Sequence, residues 1–107
     1  MNLELAGIDV IEAKDGQDCL DILEAAERLP DLITIDMVMP RLDGISTITK
    51  IRAQDRYDQI PIIMVSTQGQ QIDLNRAKTA GADDYIIKPF DPDQLVHTVQ
   101  TAFDSRR

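Results

Sequence analysis

The sequence holds one cysteine, Cys19, so no disulfide can form within the chain, and the composition suits a reducing cytoplasm. Positive charge is scarce: 11 Lys and Arg against 19 Asp and Glu give a formal charge of -8. That balance opposes nucleic-acid binding as the main activity, because phosphate contacts need a basic surface. An acidic chain is better suited to basic protein surfaces or cations. No apolar run approaches the roughly 20 residues of a membrane span, and the amino terminus lacks the basic-then-apolar order of a signal peptide. There is no interdomain linker, no low-complexity tract and no repeat beyond an alternation of strands and helices. What is there is 107 residues, 43% hydrophobic and 28% charged, which makes one domain with a real core and is too short for two.

The alternation runs four times. Ile8 to Ala13 alternates apolar and acidic residues, which predicts a strand near a sheet edge. After the Asp15-Gly16 turn, Leu20, Ile22, Leu23, Ala26 and Leu29 recur at helical spacing, predicting a helix over Gln17 to Arg28 that Pro30 ends. Leu32 to Asp36 is an unbroken apolar run, as in a parallel strand covered on both faces, and Pro40 with Asp43-Gly44 breaks the chain behind it. Ile45, Ile48 and Ile51 share one face of a helix over Ile45 to Ala53, with Lys50 and Arg52 exposed near its negative end. A polar linker, Gln54 to Gln59, leads to a buried strand at Ile62 to Ser66. A weaker helix spans Ile72 to Ala80 and is closed by Gly81. Asp84 to Lys88 is the last strand. Asp91 as cap, Pro92 at the first helical position and Gln94 open the last helix, whose apolar face is Leu95, Val96, Val99, Ala102 and Phe103. Such a pattern argues for a parallel sheet with helices on both sides.

Asp36, Ser66 and Lys88 each stand last in an apolar strand. Parallel strands would gather this carboxylate, hydroxyl and ammonium at one sheet edge, the edge where open α/β sheets bind ligands. The trio suits phosphoryl transfer to a carboxylate: Asp36 attacks, and Lys88 and Ser66 contact the phosphoryl oxygens. A metal ion would normally complete such a site. Taken singly, each residue has a plainer reading, since an Asp before a turn usually caps a loop and a strand-end Lys or Ser is usually solvated. Their coincidence at equivalent positions raises the functional reading to equal standing with the plainer one.

Ile35-Asp36-Met37-Val38-Met39-Pro40 with Asp43-Gly44, then Ile63 to Ser66, Gly81-Ala82 and Tyr85-Ile86-Ile87-Lys88-Pro89-Phe90 resemble the receiver domains of two-component response regulators, the family of the chemotaxis protein CheY. The resemblance runs from about Ile8 to Phe103. It implies a flavodoxin-like fold and a signalling module rather than an enzyme. Asp36 would take a phosphoryl group from a histidine kinase or phosphotransfer protein, and Lys88 would contact that group. Ser66 would be the switch hydroxyl and Tyr85 the switch aromatic that turns inward with it. The family usually has a cis bond at the position of Lys88-Pro89. Magnesium is the implied cofactor, with Asp36 and the backbone carbonyl of Val38 among its ligands, and Val38 and Gln68 match positions that tune phosphoryl lifetime. The downstream partner would meet the segment Ile72 to Tyr85 with the final helix.

The resemblance departs at the front. Receivers begin with a strand ending in two adjacent acidic residues, and no such pair follows an apolar strand before Asp36; Asp83-Asp84 begins a strand, and Glu4, Asp9, Glu12 and Asp15 do not match. Met1 to Gly7 reads as the last turn and cap of a helix, so residues 1–107 are expected to be a single, N-terminally incomplete receiver-like domain with an incomplete magnesium site. In the family's order, 2-1-3-4-5, the missing strand is central. Its loss predicts an open edge at Leu32 to Asp36 and either self-association or direct closure of the first strand here onto that edge. Two functions follow: a phosphorelay receiver, impaired in this form, or an interaction domain that works without phosphorylation. A haloacid-dehalogenase-like phosphatase also uses a strand-end Asp, but its Asp-x-Asp is absent, since Met37-Val38 follows Asp36. His97 reads as a surface residue, and Cys19, Met37, Met39 and Met64 read as packing.

Overall fold

A computed structural model describes residues 9–13, 15–36, 42–67, 74–88 and 91–106. Four strands alternate with four helices: β1 (Val10–Ala13), α1 (Gly16–Ala25), β2 (Leu32–Asp36), α2 (Gly44–Arg52), β3 (Ile62–Thr67), α3 (Leu74–Ala80), β4 (Asp84–Lys88) and α4 (Pro92–Arg106). The expectations placed on Met1 to Gly7, Val38, Gln68, Ile72 and the Lys88-Pro89 bond fall on residues outside the described set.

All four strands are parallel, in the order β1-β2-β3-β4. The expected open edge at Leu32 to Asp36 is not there. β1 lies directly against β2, in register from Val10 opposite Leu32 to Ala13 opposite Ile35. Of the two outcomes predicted for the missing strand, closure is the one found, and strand exchange through that edge loses its premise. The physical reason is that β2 is buried from Leu32 to Ile35, and each buried backbone group left unpaired would cost about 1–3 kcal/mol. β1 and β4 are the outer strands, and β1 is where its alternating pattern placed it.

The two-residue period of the strands divides their side chains between two cores. On one face Ala13, Ile33, Ile35, Ile62 and Met64 pack with Cys19 and Leu23 of α1, Ile48 and Ile51 of α2, and Ala77 of α3. On the other, Leu32, Ile63 and Ile86 pack with Leu95, Val99 and Ala102 of α4. Full burial of one such Ile or Leu contributes about 1.5–3 kcal/mol, and Ile48→Ala, at the centre of the larger core, would cost about 2–5 kcal/mol.

Three aspartates set where the helices start. Asp15, Asp43 and Asp91 accept from the backbone N–H three residues on, at Asp18 (3.1 Å), Ser46 (2.8 Å) and Gln94 (2.7 Å). Each cap is worth about 1 kcal/mol. α1 stops at Ala25, short of the predicted Arg28, because Ala26 turns extended and donates to Leu23 O. Arg56 Nη2 also donates to Leu23 O at 3.2 Å. Arg56 belongs to a 3-10 turn, Asp55–Tyr57, where the sequence suggested only a polar linker, and Tyr57 is fully buried there.

Arg52, expected to be exposed, is half-buried at the opposite edge of the sheet from Asp36. Its guanidinium donates to Gly81 O (3.0 Å), Tyr57 O (2.9 Å) and Ile60 O (2.8 Å) and pairs with Asp83 Oδ2 at 3.2 Å. Asp83 Oδ2 in turn accepts from Ile62 N at 2.8 Å. Carbonyls released by the 3-10 turn and by the end of α3 thus find one fixed donor fork.

Candidate functional site

The parallel sheet brings the strand-end residues to its carboxyl edge. Asp36 ends β2, Lys88 ends β4, and Ser66 stands one residue before the end of β3. In register, Asp36 lies opposite Val65 and Lys88 opposite Thr67, so Ser66 stands at the level between them. Adjacent strands lie about 4.8 Å apart, so a contact between β2 and β4 has to span β3. Lys88 makes that span, with Nζ 3.7 Å from Asp36 Oδ2. The Asp36 side chain is 32% exposed and that of Lys88 44%. An ion pair this open to water is worth about 0–1 kcal/mol to stability. Its interest is therefore chemical: a carboxylate within reach of solvent-borne molecules, with a cation already on one oxygen.

Ser66 is fully buried. It has the parity of Ile62 and Met64 and so belongs to the sheet face carrying α1, α2 and α3. Tyr85 lies opposite Met64 on that face, half-buried against the same core. The hydroxyl and the aromatic ring thus share one face, while Asp36 and Lys88 follow the parity of Leu32, Thr34 and Ile86 on the other. The structure brings Asp36 and Lys88 into contact and places Ser66 beside them at the edge. Tyr85 stands farther back along β4.

A hard divalent cation takes about six oxygen ligands, several of them carboxylates in a tight protein site. Among the described residues no three His, Cys, Asp or Glu side chains are grouped to hold a metal ion. The described residues alone do not make up that donor set. Asp43 follows soon after Asp36, but its carboxylate serves as a cap: Oδ1 accepts from Ser46 N and Oδ2 from Ser46 Oγ, the latter at 3.2 Å.

Sequence reasoning passed over one feature of this edge. Gly16, the first residue of α1, is buried, and a Cβ built on it would collide with Thr47 Oγ1 and with the carbonyl oxygen and Cβ of Leu42. A glycine directly after an Asp cap, where helical backbone makes no demand for one, was the available signal. Cys19, three residues on, is also buried, and burial pushes its thiol up to about 11. It is packing, as expected.

Comparison with known proteins gives a family. The response regulator receiver domain family matches residues 2–100. The DNA-binding dual master transcriptional regulator RpaA of Synechocystis sp. is 37% identical over 100 residues, covering 94% of this chain and 41% of the relative. The chemotaxis protein CheY homolog of Campylobacter jejuni is 41% identical over 87 residues, covering 81% of this chain and 66% of that protein. The chain therefore spans from about two-fifths to just under two-thirds of these relatives. Among solved structures, the receiver domain of the Francisella response regulator 1452 superposes with a TM-score of 0.75 at 33% identity, covering 97% of this chain and 83% of that one. The signal receiver domain of a histidine kinase from Syntrophus aciditrophicus gives 0.71 at 28%, covering 87% and 69%.

Proposed function

This chain belongs to the response regulator receiver domain family of two-component systems, and on that premise we propose that Asp36 is its phosphoacceptor. A carboxylate oxygen of Asp36 attacks the phosphorus of a phosphohistidine on a histidine kinase or phosphotransfer protein. The new P–O bond forms as the P–N bond breaks, and its electron pair returns to the imidazole. Lys88 moves from the carboxylate to the phosphoryl oxygens, where negative charge gathers during transfer. The observation that carries this reading is the Lys88 Nζ to Asp36 Oδ2 contact of 3.7 Å across β3 at an exposed edge.

Ser66 is the switch hydroxyl, drawn toward the phosphoryl group, and Tyr85 turns inward on the same face as Ser66 moves. Their shared face supports that pairing. A downstream protein meets α3, β4 and α4, where Ile87 and Val96 stand exposed. Receiver domains bind magnesium as a family; Asp36 would be one of its ligands here, and among the described residues no three His, Cys, Asp or Glu side chains are grouped around a metal position.

A second reading is an interaction domain that works without phosphate, for which the exposed Ile87 and Val96 offer an apolar contact. One experiment separates the two. Acetyl phosphate, or beryllofluoride with magnesium, should shift the amide resonances of Asp36 and Ser66 and leave them unmoved in Asp36→Asn. A wild-type spectrum that does not respond removes the phosphoacceptor reading and leaves the second.

A further inference from the structure

Because β1 and β2 are parallel and each leads into its own helix, Gly16 opens α1 at the edge of the sheet where Asp36 ends β2. Its backbone does not ask for glycine, since it enters an ordinary helix after the Asp15 cap and the recorded positive φ among the described glycines is at Gly81. The reason is space. A side chain of even one carbon would strike Thr47 Oγ1, Leu42 O and Leu42 Cβ. The two Leu42 atoms cannot rotate out of the way as the end of a flexible side chain could. Leu42 stands between Asp36 and Asp43, the cap of α2. Thr47 Oγ1 donates to Asp43 O at 2.7 Å, so the atom that bounds Gly16 also holds the cap. α1 thus backs the Leu42–Asp43 backbone at this edge.

The geometry points to Gly16 as a positioning residue for phosphoryl transfer: its missing side chain sets where the Leu42–Asp43 backbone lies relative to Asp36. The inference rests on the reading of Asp36 as phosphoacceptor. Any residue with a Cβ at this position pushes the Leu42 backbone away from α1, and a misplacement of about 1 Å near a reacting group can slow a reaction about a hundredfold.

The test compares wild type, Gly16→Ala and Gly81→Ala as full chains, with acetyl phosphate and magnesium as the phosphoryl source. Gly81 lies at the opposite edge, and its substitution strains the backbone and collides with Arg52, so it matches or exceeds the loss of thermal stability without touching the site. Gly16→Ala should lower the maximal rate constant for labelling Asp36 about tenfold or more. The half-saturating donor concentration should stay within about twofold, and amide shifts should centre on Asp36, Leu42, Asp43 and Ser46. Gly81→Ala should keep the wild-type rate. Equal rates in Gly16→Ala and wild type, or rates that fall with melting temperature in both variants, overturn the positioning role. If Gly16→Ala does not fold, Thr47→Ala decides, because it removes the hydroxyl from the same contact: slower labelling supports the role and an unchanged rate overturns it. A wild-type chain that takes no label overturns the Asp36 reading itself, and the positioning role with it.

Discussion

Lys88 and Asp36 meet across an intervening strand, with Nζ 3.7 Å from Oδ2. The contact exists because both strands end at one level and both residues share the parity of one sheet face. Lys88→Ala should slow phosphorylation of Asp36 by about a hundredfold to a thousandfold, the range for removing one preorganised charge-stabilising group. Stability should change by less than about 1 kcal/mol, since the pair is open to water. Labelling kinetics beside urea denaturation check both halves of the expectation.

Asp36→Asn should abolish hydroxylamine-sensitive labelling altogether while the fold survives. The amide keeps the shape of the carboxylate but lacks its nucleophilic charge. Intact-mass measurement after acetyl phosphate treatment reads the presence or loss of the phosphoryl group.

Arg52→Met should destabilise the chain by about 3–5 kcal/mol, the cost of leaving one partner of a buried pair behind. Asp83 would remain buried without its guanidinium, and the carbonyls of Tyr57, Ile60 and Gly81 would lose their donor. Asp83→Asn should cost less, because its side-chain oxygen can still accept from Ile62 N. Urea midpoints of the two variants should fall in that order.

The buried Cys19 thiol, with its acid constant pushed from 9.0 to about 11 by burial, should resist an aromatic disulfide reagent in the native chain and react fully in urea. The same shift has a sign for stability. The folded chain holds the proton more tightly than the unfolded one, so the contribution is complete below pH 9.0 and is lost as pH rises through about 11. Cys19→Ser should flatten that alkaline decline in denaturation measured between pH 8 and 11.

Much of the architecture is legible in the sequence, and particular residues show why. Leu32 to Asp36 and Ile62 to Ser66 announce buried parallel strands through their apolar runs, Tyr85 to Ile87 gives a shorter run for the outer, part-exposed β4, and Asp91-Pro92 announces α4. Asp36, Ser66 and Lys88 could be grouped because strand ends are local and parallel strands share an edge. Three other features depend on atoms distant in sequence. The pairing of β1 with β2 reflects which partner is left for an edge that must be satisfied. Arg52 looked like an ordinary helix-end cation, and only the fold puts Tyr57, Ile60, Gly81 and Asp83 around it. Tyr57 sat in a run too polar to signal burial, yet the 3-10 turn folds its ring inward beneath Arg56, whose guanidinium carbon stands 4.7 Å from the ring centre.

The consecutive strand order has a kinetic meaning as well. Every strand pairs with the one a single helix further along, so each ladder closes a loop of only roughly 20–30 residues, and the entropy of closure differs little among the three. Among the described residues no strand has to be threaded between two that are already joined. A chain emerging from the ribosome can set β1 against β2 before β4 has been made, and folding should be fast for a parallel sheet, with its rate governed by these short closures.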